Sequence, residues 1–156
     1  DALEHVGMTE FADRSVLELS GGEFRRVLIA QALAQETSVL LLDEPVQQLD
    51  LRHQIEVMEL IRRSTRRMSA AVAVLHDLCL AARYCDRLIL MMQGRIHAIG
   101  TPAQVITEAN LREVYGVEAA IDRCEATGSV RVVPIRAIDF ARHADVRVHS
   151  NGGIPR

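Results

Sequence analysis

The sequence predicts an α/β fold built on a mostly parallel sheet with flanking helices, and three observations carry that prediction. Two short, continuous apolar runs, Val39–Leu42 and Ala70–Leu75, stop at polar residues, Asp43-Glu44-Pro45 and His76-Asp77. Between them Leu51, Ile55, Met58 and Ile61 recur at helical spacing. Continuous rather than alternating apolar strands are the pattern of a sheet covered on both faces. Strand, helix and strand form a βαβ unit, whose crossover is right-handed almost without exception. The two strands are then parallel, and their C-terminal ends share the edge where ligands of open α/β sheets bind. Topology alone thus places Asp43, Glu44 and His76 on one rim.

The bulk numbers agree. The chain has 156 residues, 49% apolar and 25% charged, enough for a globular core. A net charge of −3 gives no basic field for nucleic acid. All 18 cationic side chains are arginine. The longest purely apolar run, Ala70–Leu75, is far short of the roughly 20 residues that span a bilayer, and no secretory leader pattern opens the chain. Cys79, Cys85 and Cys124 lack C-x-x-C spacing and read as reduced thiols.

Each element has a local reason. Residues 1–18 read as a short helix, Asp1 to Met8, and a connector broken at Asp13-Arg14-Ser15. Ser20-Gly21-Gly22-Glu23 fits the S-x-x-E capping box and opens a helix to about Gln35, with Phe24, Val27, Leu28 and Leu33 expected on its buried face. Capping boxes open many ordinary helices. The glycine pair sets this one apart, because glycine is costly inside a helix and its use here marks a close approach to the backbone. Free N–H groups at the positive end of the helix dipole suit an anionic phosphate.

Pro45 ends the first strand. The next helix runs from about Leu49 to Arg67, with Arg52, Arg62, Arg63, Arg66 and Arg67 as its solvated face. Asp77 caps a helix to about Tyr84. Arg87–Met92 is a third strand, Gln93-Gly94 a turn, and Arg95–Ile99 an antiparallel return. Thr101-Pro102 opens a short helix to about Ile106, and Asn110 caps another that Gly116 ends. The tail shows strand-like alternation around Val130–Ile135, then turns polar, with a frayed end expected at Ser150–Arg156.

Taken together, these residues resemble the ATP-binding subunit of an ABC transporter. Leu19-Ser20-Gly21-Gly22-Glu23 is similar to the family's signature motif. Leu40–Glu44 resembles its Walker B strand with the catalytic glutamate, Leu49-Asp50 its D-loop, and His76 its switch histidine. The likeness covers residues 1 to roughly 117. His76-Asp77-Leu78, Ala81–Arg87, Gly100-Thr101-Pro102 and Leu111–Val117 resemble the branch that imports ferric siderophores, haem and cobalamin.

The resemblance implies a P-loop NTPase-like sheet lacking its N-terminal strands and phosphate-binding loop. Residues 1–35 would be the end of the helical subdomain, 36–117 part of the catalytic core, and 118–156 a strand-containing tail. It further implies that Asp43 holds Mg²⁺ through water, that Glu44 polarises the attacking water as general base, and that His76 contacts the γ-phosphate. Ser20, Gly21, Gly22 and Glu23 would close over ATP bound to the opposite subunit, and Asp50 would tie the two sites together. The implied cofactors are ATP and Mg²⁺. The implied partners are a second ATP-binding subunit in a homodimer, membrane permease subunits and, indirectly, a periplasmic binding protein, at the cytoplasmic face of the inner membrane. Phosphoryl transfer depends on positioning and electrostatic stabilisation, which suits such a set.

The sequence departs from the family in several places. The phosphate-binding pattern G-x-x-x-x-G-K-[ST] needs a lysine, and these residues contain none. No glutamine-loop candidate precedes the signature. Val46 and Gln47 stand where the family commonly has threonine and serine, and Arg25 and Gln31 replace a frequent glutamine and arginine. The expectation is a truncated product or fragment that is inactive alone, with 70–75 left as an open apolar edge and poor solubility as the consequence. Two alternatives stand beside the transport subunit: a non-catalytic remnant, and a soluble ABC ATPase acting on DNA or ribosomes.

Overall fold

A computed structural model describes residues 2–65 and 70–138. They fall into two compact units that divide between Tyr84 and Cys85.

The first unit opens with α1 (Ala2–His5), shorter than expected, and two 3₁₀ turns, Thr9–Phe11 and Val16–Glu18. Then follow α2 (Gly21–Leu33), β1 (Val39–Asp43), α3 (Leu51–Ser64), β2 (Ala70–Val74) and α4 (Leu78–Tyr84). β1 and β2 pair in parallel, Val39 opposite Ala70 through Asp43 opposite Val74, as the βαβ reading requires. The core joins Val6 and Met8 to Ile29 and Ala30 of α2, Val46 of the connector, Val57, Met58, Leu60 and Ile61 of α3, and Leu80 of α4.

Both strands depart from the two-faced burial expected of them. Leu40 is 2% exposed but Leu41 is 73% exposed, and Val72 and Val74 are each about half exposed. The helices of this unit cover one face, and among the described residues nothing covers the other. β2 pairs only with β1, and the third strand belongs to a separate sheet, so β2 keeps an unpaired edge among the described residues.

The helical faces shift as well. On α2 the buried positions are Gly22, Ile29 and Ala30, with Val27 and Leu33 packed partly against the core, whereas Phe24 and Leu28 are exposed. α2 spreads apolar and charged residues around its circumference, so periodicity does not single out a face. On α3, Met58 and Ile61 are buried as expected and Ile55 is half-buried, but Leu51 is exposed and Val57 and Leu60 join the core. The expected continuation to Arg67 enters residues outside those described, as does the end at Ser150–Arg156.

The second unit begins with the hairpin β3 (Leu88–Met92) and β4 (Arg95–Gly100). Gln93 and Gly94 both have positive φ, 50° and 73°, which is the backbone of a two-residue type I′ turn. α5 (Pro102–Val105) follows, with Gln104 Oε1 accepting from the Thr101 N–H at 2.9 Å. α6 (Glu108–Tyr115) ends at Gly116 in the left-handed conformation, φ 63°. Its cap is Thr107, not Asn110: Thr107 Oγ1 accepts from the Asn110 N–H at 3.2 Å, while the Asn110 side chain donates to the Val105 carbonyl at 2.7 Å. β5 (Val117–Arg123) pairs antiparallel with β6 (Val130–Ala137). β6 contains the expected alternation; β5, whose Val-Glu-Ala-Ala-Ile run alternates only weakly, was not anticipated.

Candidate functional site

The expected rim forms at the C-terminal ends of the parallel pair. Asp43 is the last residue of β1 and is exposed. Glu44 follows with φ 46°, a left-handed conformation that costs a residue bearing a Cβ and that clusters at functional sites. His76 lies just past β2. Its Nε2 sits 2.5 Å from Glu44 Oε1, bringing together groups 32 residues apart in sequence. The Glu44 side chain is 28% exposed and that of His76 is 72% exposed, so the pair is open to water. In the same turn Val46, which stands where the family has a hydroxyl, is buried in the core.

At the start of α2 the capping box forms. Ser20 Oγ accepts from the Glu23 N–H at 3.3 Å, and Glu23 Oε2 accepts from the Ser20 N–H at 2.7 Å. That second bond leads the causes that lower the pKa of the Glu23 carboxyl. Ser20 and Gly21 are exposed. Gly22 is not open to a ligand in the way its lack of a side chain suggested. It is buried, and a Cβ built there would lie 2.5 Å from His53 Cδ2 and 3.0 Å from Nε2. A Cβ on Gly21 would meet nothing closer than Leu49 Cδ2 at 3.8 Å. The close approach that the glycine pair signals is therefore made at Gly22 by an imidazole of α3, and the space beside Gly21 remains clear.

Asp50 is the N-cap of α3. Its Oδ1 accepts from the His53 N–H at 2.9 Å and contacts His53 Nδ1 at 2.8 Å. The backbone N–H of His53 is the leading cause of a lowered Asp50 pKa. Sequence reasoning gave His53 no role; the signal was its D-x-x-H spacing after the cap. Arg26 pairs with Glu56 of α3, which also accepts from Arg52 Nε at 2.9 Å. No group of three or more His, Cys, Asp and Glu fit to hold a metal ion occurs among the described residues. Asp43 and Glu44 thus offer hard oxygen donors without completing a metal shell, which is how Mg²⁺ is commonly held when phosphates and water supply the rest.

A parallel βαβ pair with an acidic strand end and an imidazole on the same rim, together with a glycine-opened helix, defines an α/β domain of the kind that binds ligands at its strand ends. The ABC transporter family profile matches residues 1–47. The cobalamin import ATP-binding protein BtuD of Halobacterium salinarum is 45% identical over 153 residues, covering 97% of this chain and 38% of that protein. The hemin import ATP-binding protein HmuV of Rhodococcus jostii is 46% identical over 136 residues, covering 87% of this chain and 47% of that protein. A solved metal-chelate type ABC transporter in an inward-facing conformation superposes with a TM-score of 0.77 at 25% identity, covering 86% of this chain and 55% of that one. The chain belongs to the ABC transporter ATP-binding domain family, and it spans less than half the length of these two curated relatives.

Proposed function

We propose that these residues are part of the ATP-binding, ATP-hydrolysing subunit of an ABC importer for cobalamin, hemin or a ferric siderophore. The single observation that carries this reading is the Glu44–His76 contact at 2.5 Å on the rim beside Asp43. In it, Glu44 is the general base that takes a proton from the attacking water, and His76 orients Glu44 and contacts the γ-phosphate. Asp43 would hold Mg²⁺ through water, and the ion would supply charge neutralisation for the phosphate groups when bound. Ser20, Gly21, Gly22 and Glu23 present the start of α2 to ATP held by a second copy of the subunit, with Asp50 between the two sites. The names of the relatives, which import cobalamin and hemin, support the substrate class. The partners on this reading are the second ATP-binding subunit, membrane permease subunits and, indirectly, a periplasmic binding protein. The subunit would work at the cytoplasmic face of the inner membrane. No described helix is long and apolar enough to cross a membrane.

Because the 156 residues contain no lysine, they supply no phosphate-binding loop of the G-x-x-x-x-G-K-[ST] kind, and on this reading the chain alone does not turn over ATP. The test compares the chain with the complete subunit, these residues joined to a phosphate loop and assembled with the permease. The complete subunit hydrolyses ATP, and Glu44→Gln lowers kcat by at least ~10²-fold, the loss expected when a positioned general base is removed. Turnover by Glu44→Gln equal to that of the unaltered subunit would refute the assignment.

A further inference from the structure

The space left by the missing side chain of Gly22 is occupied, and its occupant is held by Asp50. One carboxylate oxygen, Asp50 Oδ1, meets both the backbone N–H and the ring Nδ1 of His53, at 2.9 and 2.8 Å. The other side of that ring rests on Gly22, so tightly that a methyl there would overlap Cδ2 at 2.5 Å. His53 is half-buried and Asp50 largely exposed, so the ring is packed while the group that orients it stays reachable from outside. Gly22 is the second residue of α2 and lies inside the Ser20–Glu23 capping box. A single side chain therefore bridges the connector after β1 and the first turn of α2.

We propose that His53 is a positioning residue: it transmits the state of Asp50 to the phosphate-facing start of α2. The inference rests on the proposed ATPase reading, and it adds a residue to which that reading gives no role. While Asp50 accepts from His53, the ring is fixed over Gly22 and the backbone N–H groups of Gly21 and Gly22 keep one orientation. When Asp50 is drawn to another partner, the ring loses its anchor and the first turn of α2 is free to shift. His53 touches neither water nor phosphate in this scheme. It acts on hydrolysis of the nucleotide that α2 faces, and not on nucleotide uptake.

Turnover by the complete subunit assembled with its permease tests this. His53→Ala is expected to lower kcat roughly tenfold, because misplacement of a positioning element by a fraction of an ångström carries losses of that order, with KM for ATP within about twofold. His53→Asn keeps a donor for Asp50 but removes the ring from Gly22, and is expected to match His53→Ala. Gly22→Ala drives a methyl into the imidazole and is expected to lose more. Adding His53→Ala to Gly22→Ala is expected to restore part of that loss, the non-additivity of residues in contact.

Strictly additive losses, a kcat for His53→Ala within twofold of the parent, or a loss confined to KM would overturn the inference. An active parent silenced by Glu44→Gln but indifferent to His53→Ala keeps the ATPase reading and removes this one. Hydrogen exchange across residues 19–24 needs no turnover, so it decides the inference even if the subunit proves inactive. Both His53→Ala and Asp50→Asn should raise exchange at Glu23 and Phe24, whose N–H groups donate to the Ser20 hydroxyl and the Ser20 carbonyl. Exchange unchanged by Asp50→Asn would show that Asp50 does not control that turn.

Discussion

Leu40 and Leu41 are the same residue type, one position apart on β1, and the fold puts them in opposite environments. Leu40 is 2% exposed and Leu41 is 73% exposed. Leu40→Ala removes a fully buried isobutyl group, and such truncations cost ~2–5 kcal/mol. Leu41→Ala withdraws a side chain of which only about a quarter leaves water; taking roughly 2 kcal/mol for full burial, the loss is about 0.5 kcal/mol. Because both changes are Leu to Ala in one strand, the strand-propensity terms cancel, and the difference of roughly 2 kcal/mol or more reports burial alone. Urea unfolding of the 156-residue chain, kept dilute, measures it as a shift in midpoint at constant slope. Equal losses would refute the one-sided sheet and restore the two-faced burial read from the sequence. The same geometry makes Leu41, Val72 and Val74 an apolar patch beside an unpaired edge, an association hazard. Leu41→Lys is therefore expected to raise soluble yield with little change in midpoint.

Two further outcomes follow from the hydrogen bonds. The lowered pKa of Asp50 means that its cap contributes stability above the ordinary carboxylate range, and that this contribution is lost as pH falls through the depressed value. Melting temperature against pH should accordingly separate the parent from Asp50→Asn near neutrality, with the gap closing in acid; a gap independent of pH would count against the cap. The Cys124 thiol is lowered, first by its hydrogen bond with the Thr127 side chain, whereas burial raises that of Cys85. Alkylation by iodoacetamide near neutral pH is expected to reach Cys124 well before Cys85, as mass spectrometry of the labelled peptides would show.

Much of the site was legible because it depends on strand ends and caps, which are local. The stop at Asp43-Glu44-Pro45, the stop at His76 and the S-x-x-E box each announce themselves within a few residues, and the parallel pairing then brings Glu44 to His76 without further information. Less legible were features set by neighbours. Exposure of Leu41, Val72 and Val74 depends on what lies above the sheet, and a continuous apolar run cannot report that. Phe24 and Leu28 are exposed against expectation because α2 spreads its apolar and charged residues around the helix and marks no single face. Thr107 and Asn110 are both good caps, and only the bond from the Asn110 N–H to Thr107 decides between them. For His53 the D-x-x-H spacing announces only its link to the Asp50 cap; its contact with the void at Gly22 joins two helices, which no spacing rule encodes.

Glu56 holds one guanidinium from each of two helices, Arg26 of α2 and Arg52 of its own. Tilting α2 by itself would pull a half-buried charge away from its counter-charge, so α2 and α3 favour swinging as one rigid lever. Bending then falls to the short links at 34–38 and 44–50, where Glu36, Glu44 and Gln48 already hold left-handed backbone angles.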